Sequence, residues 1–173
     1  MSFTVRQIRE LTPRDLEGLC DVLVDCVDGG ASVSFMYPMT REKAETFWRD
    51  VGASIAKGER VLVVAEDEDG IIGTAQAIWA TPENQPHRAD VSKMLVHRRA
   101  RRRGVGAAVL AAAERAAQEA GRTLLVLDTA SADAERLYER SGWQRVGIIP
   151  RYALLPDGPF CQTVVFYKNL EPA

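Results

Sequence analysis

The sequence predicts a mixed α/β protein in which helices cover both faces of a β-sheet. Strand-like apolar runs alternate with segments of helical periodicity, and turns containing glycine or proline separate them. The chain has 173 residues, 46% of them hydrophobic, which is enough for a single domain, 1–173, that buries its own core. The predicted order is strand, two helices, three strands, helix, strand, helix and two strands.

The first part of the chain predicts one strand and two helices. Residues 4–9 form the strand, and residues 12–27 have helical spacing, with Thr12 as the capping hydroxyl. Thr40 caps the second helix. Between the helices, residues 31–39 are irregular but rich in apolar side chains, which predicts a packed or ligand-facing loop.

The remaining residues predict six strands and two helices. The strands span residues 60–66, 71–79, 90–97, 123–128, 144–152 and 161–168. An alanine-rich helix covers 106–120 and ends where Gly121 supplies the glycine that favours a helix terminus. A shorter helix covers 132–140.

Composition and charge argue against several classes of protein. The 22 Lys and Arg against 24 Asp and Glu give a formal charge of -2, which disfavours a nucleic-acid-binding protein. The apolar runs are strand-sized and the first ten residues carry charges, so we expect no membrane span and no signal peptide. Three cysteines without metal-ligand spacing predict a cytoplasmic, reducing location and no metal site.

A basic, glycine-containing segment between a predicted strand and a predicted helix carries the chemistry. Residues 98–103 include five arginines, and Gly104 and Gly106 lead into the helix. A helix N-terminus leaves backbone N–H groups without partners, and its dipole favours an anion. Glycines let the backbone come close to a ligand, and arginines add charge-assisted bonds to phosphate. The segment therefore predicts a phosphate or pyrophosphate site between Arg101 and Ala107.

The spacing of this segment separates three classes of phosphate-binding loop. The chain has no G-x-x-x-x-G-K-[ST] string, and G-x-G-x-x-G is incomplete because position 109 is valine. Arg101-x-x-Gly104-x-Gly106 instead matches the Q/R-x-x-G-x-G/A signature of the GCN5-related N-acetyltransferases (GNAT). The chain resembles that superfamily here.

A second motif resembles the same superfamily. Ala134-x-x-Leu137-Tyr138-x-x-x-Gly142-Trp143 is similar to its A-x-x-L-Y-x-x-x-G-F signature and lies one strand after the first motif. The resemblance covers residues 60–168 well and the N-terminal helices in outline. It implies a mostly antiparallel sheet whose central strands splay apart, with acetyl-CoA inserted into the gap.

The resemblance also implies how acetyl-CoA is held. The backbone of residues 94–96 would bind the pantetheine arm, and N–H groups from 102 to 107 would hold the pyrophosphate. The family often has asparagine three residues before the motif alanine, where this chain has Ser131, whose hydroxyl is shorter. The implied cofactor-binding residues are Met94, Leu95, Val96, Arg101, Arg102, Arg103, Gly104, Val105, Gly106, Ala107, Ser131, Ala134 and Tyr138.

Acetyl transfer to an amine requires a base, because an ammonium group cannot attack a thioester. We expect Asp90 and Asp128 as candidate bases, since they lie on or at the ends of neighbouring strands. Tyr138 occupies the position that commonly protonates the departing thiolate in the family, and an ordinary pKa of about 10 keeps it protonated at pH 7. No cysteine lies in the two motifs, so we expect direct transfer.

Within the superfamily, the chain looks most similar to the tabtoxin-resistance-like acetyltransferases, through residues 30–35, 90–96 and 127–129. That subgroup acetylates small amino-containing metabolites, which implies a small-molecule acceptor: an amino-acid-like metabolite, toxin or antibiotic. A protein lysine or N-terminus as acceptor, and a non-catalytic domain that senses acyl-CoA, remain alternatives. The sequence is compatible with a monomer or a homodimer.

Overall fold

A computed structural model describes residues 2–171. Its strands are β1 (Thr4–Ile8), β2 (Arg60–Asp67), β3 (Gly70–Trp79), β4 (Arg88–Val96), β5 (Leu124–Thr129), β6 (Gln144–Leu154) and β7 (Phe160–Asn169). Its α-helices are α1 (Pro13–Asp28), α2 (Arg41–Ala56), α3 (Val105–Glu119) and α4 (Ala132–Arg140). The predicted single domain also includes Met1, Pro172 and Ala173, which lie outside the described residues.

The seven strands form one sheet in the order β1-β2-β3-β4-β5-β7-β6. Every neighbouring pair is antiparallel except β4 and β5, which run parallel. This parallel pairing is short, joining only Arg88–Asp90 to Leu124–Val126. Beyond it β4 continues to Val96 and β5 to Thr129 without pairing to each other. The predicted mostly antiparallel sheet with splayed central strands is confirmed.

Helices pack on both faces of this sheet, as predicted. On one face, α1 and α2 bury Leu19, Leu23 and Trp48 against the strand residues Leu62 and Leu95. On the other face, the apolar sides of α3 and α4 are buried against the sheet in two further clusters. Within residues 2–171, no helix is both long and apolar enough to cross a bilayer.

The local chemistry of the helix ends follows the predicted caps. The Thr12 side chain accepts a hydrogen bond from the backbone N–H of Asp15, and the Asp15 side chain accepts one from the backbone N–H of Thr12. Arg6 then joins Asp15 to Glu66, which fastens the start of α1 to β1 and β2. The hydroxyl of Thr40 caps α2 by accepting a hydrogen bond from the backbone N–H of Lys43.

The strand β4 differs from its predicted bounds of 90–97. It begins at Arg88, because residues 88–90 gain hydrogen-bonding partners on β5 that local patterning does not reveal. It ends at Val96, because the ring nitrogen Nδ1 of His97 accepts the backbone N–H of Arg99 and starts a short 3₁₀ turn. These shifts set the position at which the two central strands separate.

Candidate functional site

The gap between the central strands begins beside a β-bulge in β4. Lys93 and Met94 of β4 together stand opposite the single residue Ala75 of β3, and Lys93 has a φ of 50°. A bulge of this kind bends a strand and redirects its side chains. Residues 94–96, predicted to bind pantetheine through their backbone, therefore begin within the bulge and lie on the part of β4 that does not pair with β5.

The N-terminus of α3 lies next to this gap. Gly104 caps α3 with a φ of 81° and offers no side-chain hydrogen bond, and Arg102 also has a positive φ of 62°. A Cβ on Gly106 would lie 3.2 Å from Leu137 and 3.7 Å from Val96, so the helix start is packed closely against α4 and the end of β4. The first N–H groups of α3 thus lie beside the splayed strands, in a position suited to binding an anion.

Three of the clustered arginines form ion pairs with acidic residues distant in sequence. Arg98 donates to Asp25 through its backbone N–H at 2.7 Å and its Nε at 2.8 Å. Arg99 and Arg103 both contact the side chain of Asp67, at 3.0 and 2.9 Å. Burial opposes ionisation of Asp67, but the two arginine hydrogen bonds outweigh it and hold its pKa below the ordinary value.

The predicted cofactor residues of this loop therefore fall into two groups: those whose side chains are held within the protein and those whose side chains are exposed. The Arg103 side chain is directed to Asp67, which leaves its backbone as the part facing the helix start. Arg101 and Arg102 are exposed. Val105 is buried under the helix, whereas Ala107 is exposed in the first turn of α3. A diphosphate at this end would meet backbone N–H groups flanked by two exposed guanidinium groups.

The two candidate carboxylates lie on the same face of the sheet. Asp90 pairs with Val126 at the last joined position of β4 and β5, and Asp128 lies two residues, about 7 Å, further along β5. Asp90 forms an ion pair of 2.5 Å with Arg88. Asp128 accepts a 2.6 Å hydrogen bond at Oδ2 from the buried hydroxyl of Thr163. Among described residues, nothing hydrogen-bonds to Oδ1 of Asp128.

Tyr138 lies on α4 and is only 3% exposed. Its ring contacts Trp143 and Phe166. Burial raises the pKa of Tyr138 far above its ordinary value, and the negative charge of Asp128 raises it further. The tyrosine is therefore a phenol, not a phenolate, at neutral pH, and it lies within electrostatic range of Asp128.

Ser131 and Ala134, two further predicted cofactor residues, lie at the start of α4. The hydroxyl oxygen of Ser131 accepts the backbone N–H of Ala134 at 3.3 Å and caps the helix. Its O–H can still donate to a ligand while the oxygen caps. Ala134 packs against the core between α4 and the sheet.

The sequence interpretation gave no role to Lys93, which the structure brings to the same face as Asp128. Its ammonium group is hydrogen-bonded to Ser34 and lies over two aromatic rings of the α1–α2 loop and α2. The available signal was a lysine next to the apolar run of residues 94–96 in a predicted strand. In the described residues, no group of three or more His, Cys, Asp or Glu side chains is placed to hold a metal ion.

Comparison with known proteins agrees with this geometry. The family described as acetyltransferase (GNAT) domain matches residues 58–145. An uncharacterized N-acetyltransferase from the hisH-hisA intergenic region of Azospirillum brasilense is 32% identical over 127 residues, which cover 72% of this chain and 74% of that relative.

Solved structures share the fold at lower identity. A GNAT superfamily phosphinothricin acetyltransferase from Sinorhizobium meliloti, in complex with acetyl-CoA, has a TM-score of 0.80 at 20% identity and covers 100% of this chain and 94% of its own. A ribosomal-protein-alanine N-acetyltransferase from Brucella melitensis has a TM-score of 0.79 at 22% identity, with coverage of 96% and 99%. The chain therefore belongs to the GCN5-related N-acetyltransferase superfamily and is an N-acetyltransferase.

Proposed function

We propose that this N-acetyltransferase, acting as a single domain, moves the acetyl group of acetyl-CoA directly to the amine of a small molecule such as an amino-acid-like metabolite, toxin or antibiotic. One observation carries the proposal. The gap between β4 and β5 has an anion-binding helix end beside it and an oriented carboxylate, Asp128, at its open end.

The residues around the gap suit the separate parts of acetyl-CoA, its pyrophosphate and its pantetheine arm. The N–H groups at the start of α3, with Arg101 and Arg102 beside them, suit a pyrophosphate. The unpaired part of β4, residues 94–96, offers backbone hydrogen bonds to the amides of a pantetheine arm. Ser131 has a hydroxyl proton to donate to the same arm. When bound, acetyl-CoA supplies an activated acyl carbon as a thioester.

Asp128 is our preferred base. Its Oδ2 is held by Thr163, so Oδ1 is left to take a proton from the acceptor ammonium, directly or through water. Asp90 is a weaker candidate because Arg88 already neutralises it. Tyr138, a phenol at neutral pH, is the proposed donor to the departing thiolate sulfur.

The acceptor side favours a small molecule over a protein segment. The α1–α2 loop is tied to the β6–β7 region, since the backbone N–H of Tyr37 donates to the carbonyl of Pro156 at 3.0 Å and the Ser32 hydroxyl donates to the carbonyl of Leu154 at 3.2 Å. Two loops bonded to each other restrict the width of the opening beside Asp128. A folded protein surface would have to displace them.

The test is a steady-state assay of thiol release from acetyl-CoA. The acceptor panel contains small amines and amino acids, a lysine-bearing peptide and a peptide with a free N-terminus. We expect turnover with small acceptors, a loss of kcat of about 10²- to 10⁴-fold in Asp128→Asn, and a much smaller loss in Asp90→Asn. Turnover confined to the peptides would contradict the small-molecule proposal. Acetyl-CoA binding without any turnover, unchanged by Asp128→Asn, would indicate a sensor.

A further inference from the structure

Lys93 presents a positive charge on the acceptor side of the gap. It is the bulged residue of β4 with positive φ, so its side chain departs from the regular alternation of the strand. Its Nζ donates to the hydroxyl of Ser34 at 3.2 Å. The same Nζ lies 5.3 Å from the ring centre of Phe47 and 6.0 Å from that of Phe35.

These contacts do not use the full capacity of the ammonium group. An ammonium has three N–H donors, and Ser34 is its one hydrogen-bond acceptor among the described residues. Burial lowers the pKa of Lys93, attraction by Asp128 raises it, and repulsion by Arg60 lowers it again. A half-buried cation with spare donors and a cationic neighbour gains from binding an anion.

Asp128 supplies a negative charge on the same side of the gap as the positive charge of Lys93. Lys93 and Asp128 attract each other electrostatically, but no direct ion pair joins them among the described residues. The acceptor side therefore carries two separated opposite charges. A zwitterion satisfies both, with its ammonium at Asp128 and its carboxylate at Lys93. A simple amine leaves Lys93 without an anion and is repelled by it.

We propose that Lys93 is a specificity-determining residue that binds a carboxylate of the acceptor, so that the enzyme acetylates amino acids or close analogues in preference to amines lacking a carboxylate. The proposal rests on the small-molecule function above. It also gives a role to the two aromatic rings beside Lys93, because Phe35 and Phe47 hold the ammonium group in place and shield it from water.

The kinetic test compares each amino acid with the amine obtained by removing its carboxylate: methionine with 3-(methylthio)propylamine, phenylalanine with phenethylamine, and leucine with isoamylamine. We expect kcat/KM for an accepted amino acid to exceed that of its amine at least tenfold in the wild type. In Lys93→Met it should fall about 10- to 100-fold, mainly through KM, with the amine unchanged or improved. Lys93→Arg should restore much of the preference, and the exposed Lys57→Met is the matched control.

A binding measurement separates this proposal from the function on which it rests. The probe is the N-acetylated amino acid, titrated into protein saturated with CoA, with the N-acetylated amine as its comparison. The amide is neutral in both probes, so a loss of affinity in Lys93→Met for the N-acetylated amino acid but not for the N-acetylated amine reports the carboxylate. A lysine that only anchors the Ser34 loop would weaken both probes equally.

Three outcomes distinguish the claims. A loss of affinity in Lys93→Met for the N-acetylated amino acid, with unchanged affinity for the N-acetylated amine and for acetyl-CoA, supports the carboxylate contact, whereas an equal loss for both probes overturns it. Equal acetylation of amines and amino acids by wild type and Lys93→Met overturns it and leaves the small-molecule function intact. Acetyl-CoA binding with neither turnover of the small acceptors nor binding of either probe overturns both.

Discussion

The hydroxyl of Thr163 donates a 2.6 Å hydrogen bond to Oδ2 of Asp128, from β7 to the neighbouring β5. Thr163 is 3% exposed, so a buried donor orients a carboxylate that is itself open to the gap. In the proposed reaction, such a contact would fix which oxygen of Asp128 faces the acceptor. Thr163 would then act as a positioning residue that does not touch substrate.

Thr163→Val tests this orientation. Valine keeps the shape of threonine but removes the donor, so we expect kcat to fall about tenfold while the Kd for acetyl-CoA stays unchanged. Thr163→Ser retains a hydroxyl and should recover most of the rate. Steady-state kinetics and calorimetric titration measure the two quantities. A parallel loss of rate in both variants would indicate that packing, and not the hydrogen bond, is responsible.

Tyr138→Phe removes one hydroxyl and keeps the ring contacts with Trp143 and Phe166. We expect a loss of kcat of about 10- to 100-fold with little change in melting temperature, because the substitution removes only the hydroxyl that we propose as proton donor. Because its pKa is raised, Tyr138 should keep its proton up to at least pH 10. We therefore expect no decrease of the wild-type rate from ionisation of Tyr138 below that pH. An unchanged kcat in the phenylalanine variant would remove Tyr138 from the reaction.

The buried thiols of α1 predict a dependence of stability on alkaline pH. Burial raises the pKa of Cys20 and of Cys26 from 9.0 to about 11. The unfolded chain releases these protons first, so their contribution to stability is complete below pH 9 and is lost as the pH rises towards 11. Urea denaturation at pH 8 and pH 10 measures the difference, and a double Cys20→Ala, Cys26→Ala variant should show a smaller one.

Thiol labelling gives an independent check of the same thiols. In the native protein at pH 8.5, iodoacetamide should leave Cys20 and Cys26 unmodified, since little thiolate forms and both side chains are buried. In urea both should react. Rapid native labelling of either residue, read by mass spectrometry, would contradict this burial.

The local chemistry of the chain made much of the fold predictable. The capping residues Thr12 and Thr40 begin α1 and α2 as expected, because a side-chain oxygen three residues before an N–H is a short-range contact. The start of α3 was also predictable, since Gly104 with its positive φ and the following helix are neighbours in sequence. Tyr138 lay in a recognisable motif.

Long-range partners decided what the sequence could not reveal. The arginine run looks uniform, yet Arg98 pairs with Asp25, 73 residues away, and Arg99 with Asp67, 32 residues away. The bulge at Lys93 depends on its register against β3, which no local pattern specifies. The different surroundings of Asp90 and Asp128 likewise depend on Arg88 and on Thr163 of the distant β7.

Calorimetric titration of acetyl-CoA into wild type, Ala107→Glu and Ala111→Glu tests whether the start of α3 holds the diphosphate of acetyl-CoA. Both alanines are exposed on α3, one turn apart. A glutamate at position 107 suits the helix dipole and spares the fold, but its charge occupies the phosphate position. We predict binding by wild type and Ala111→Glu, and affinity at least about tenfold weaker in Ala107→Glu. Equal affinity in all three proteins, or no binding by folded wild type, would exclude a diphosphate site at the start of α3.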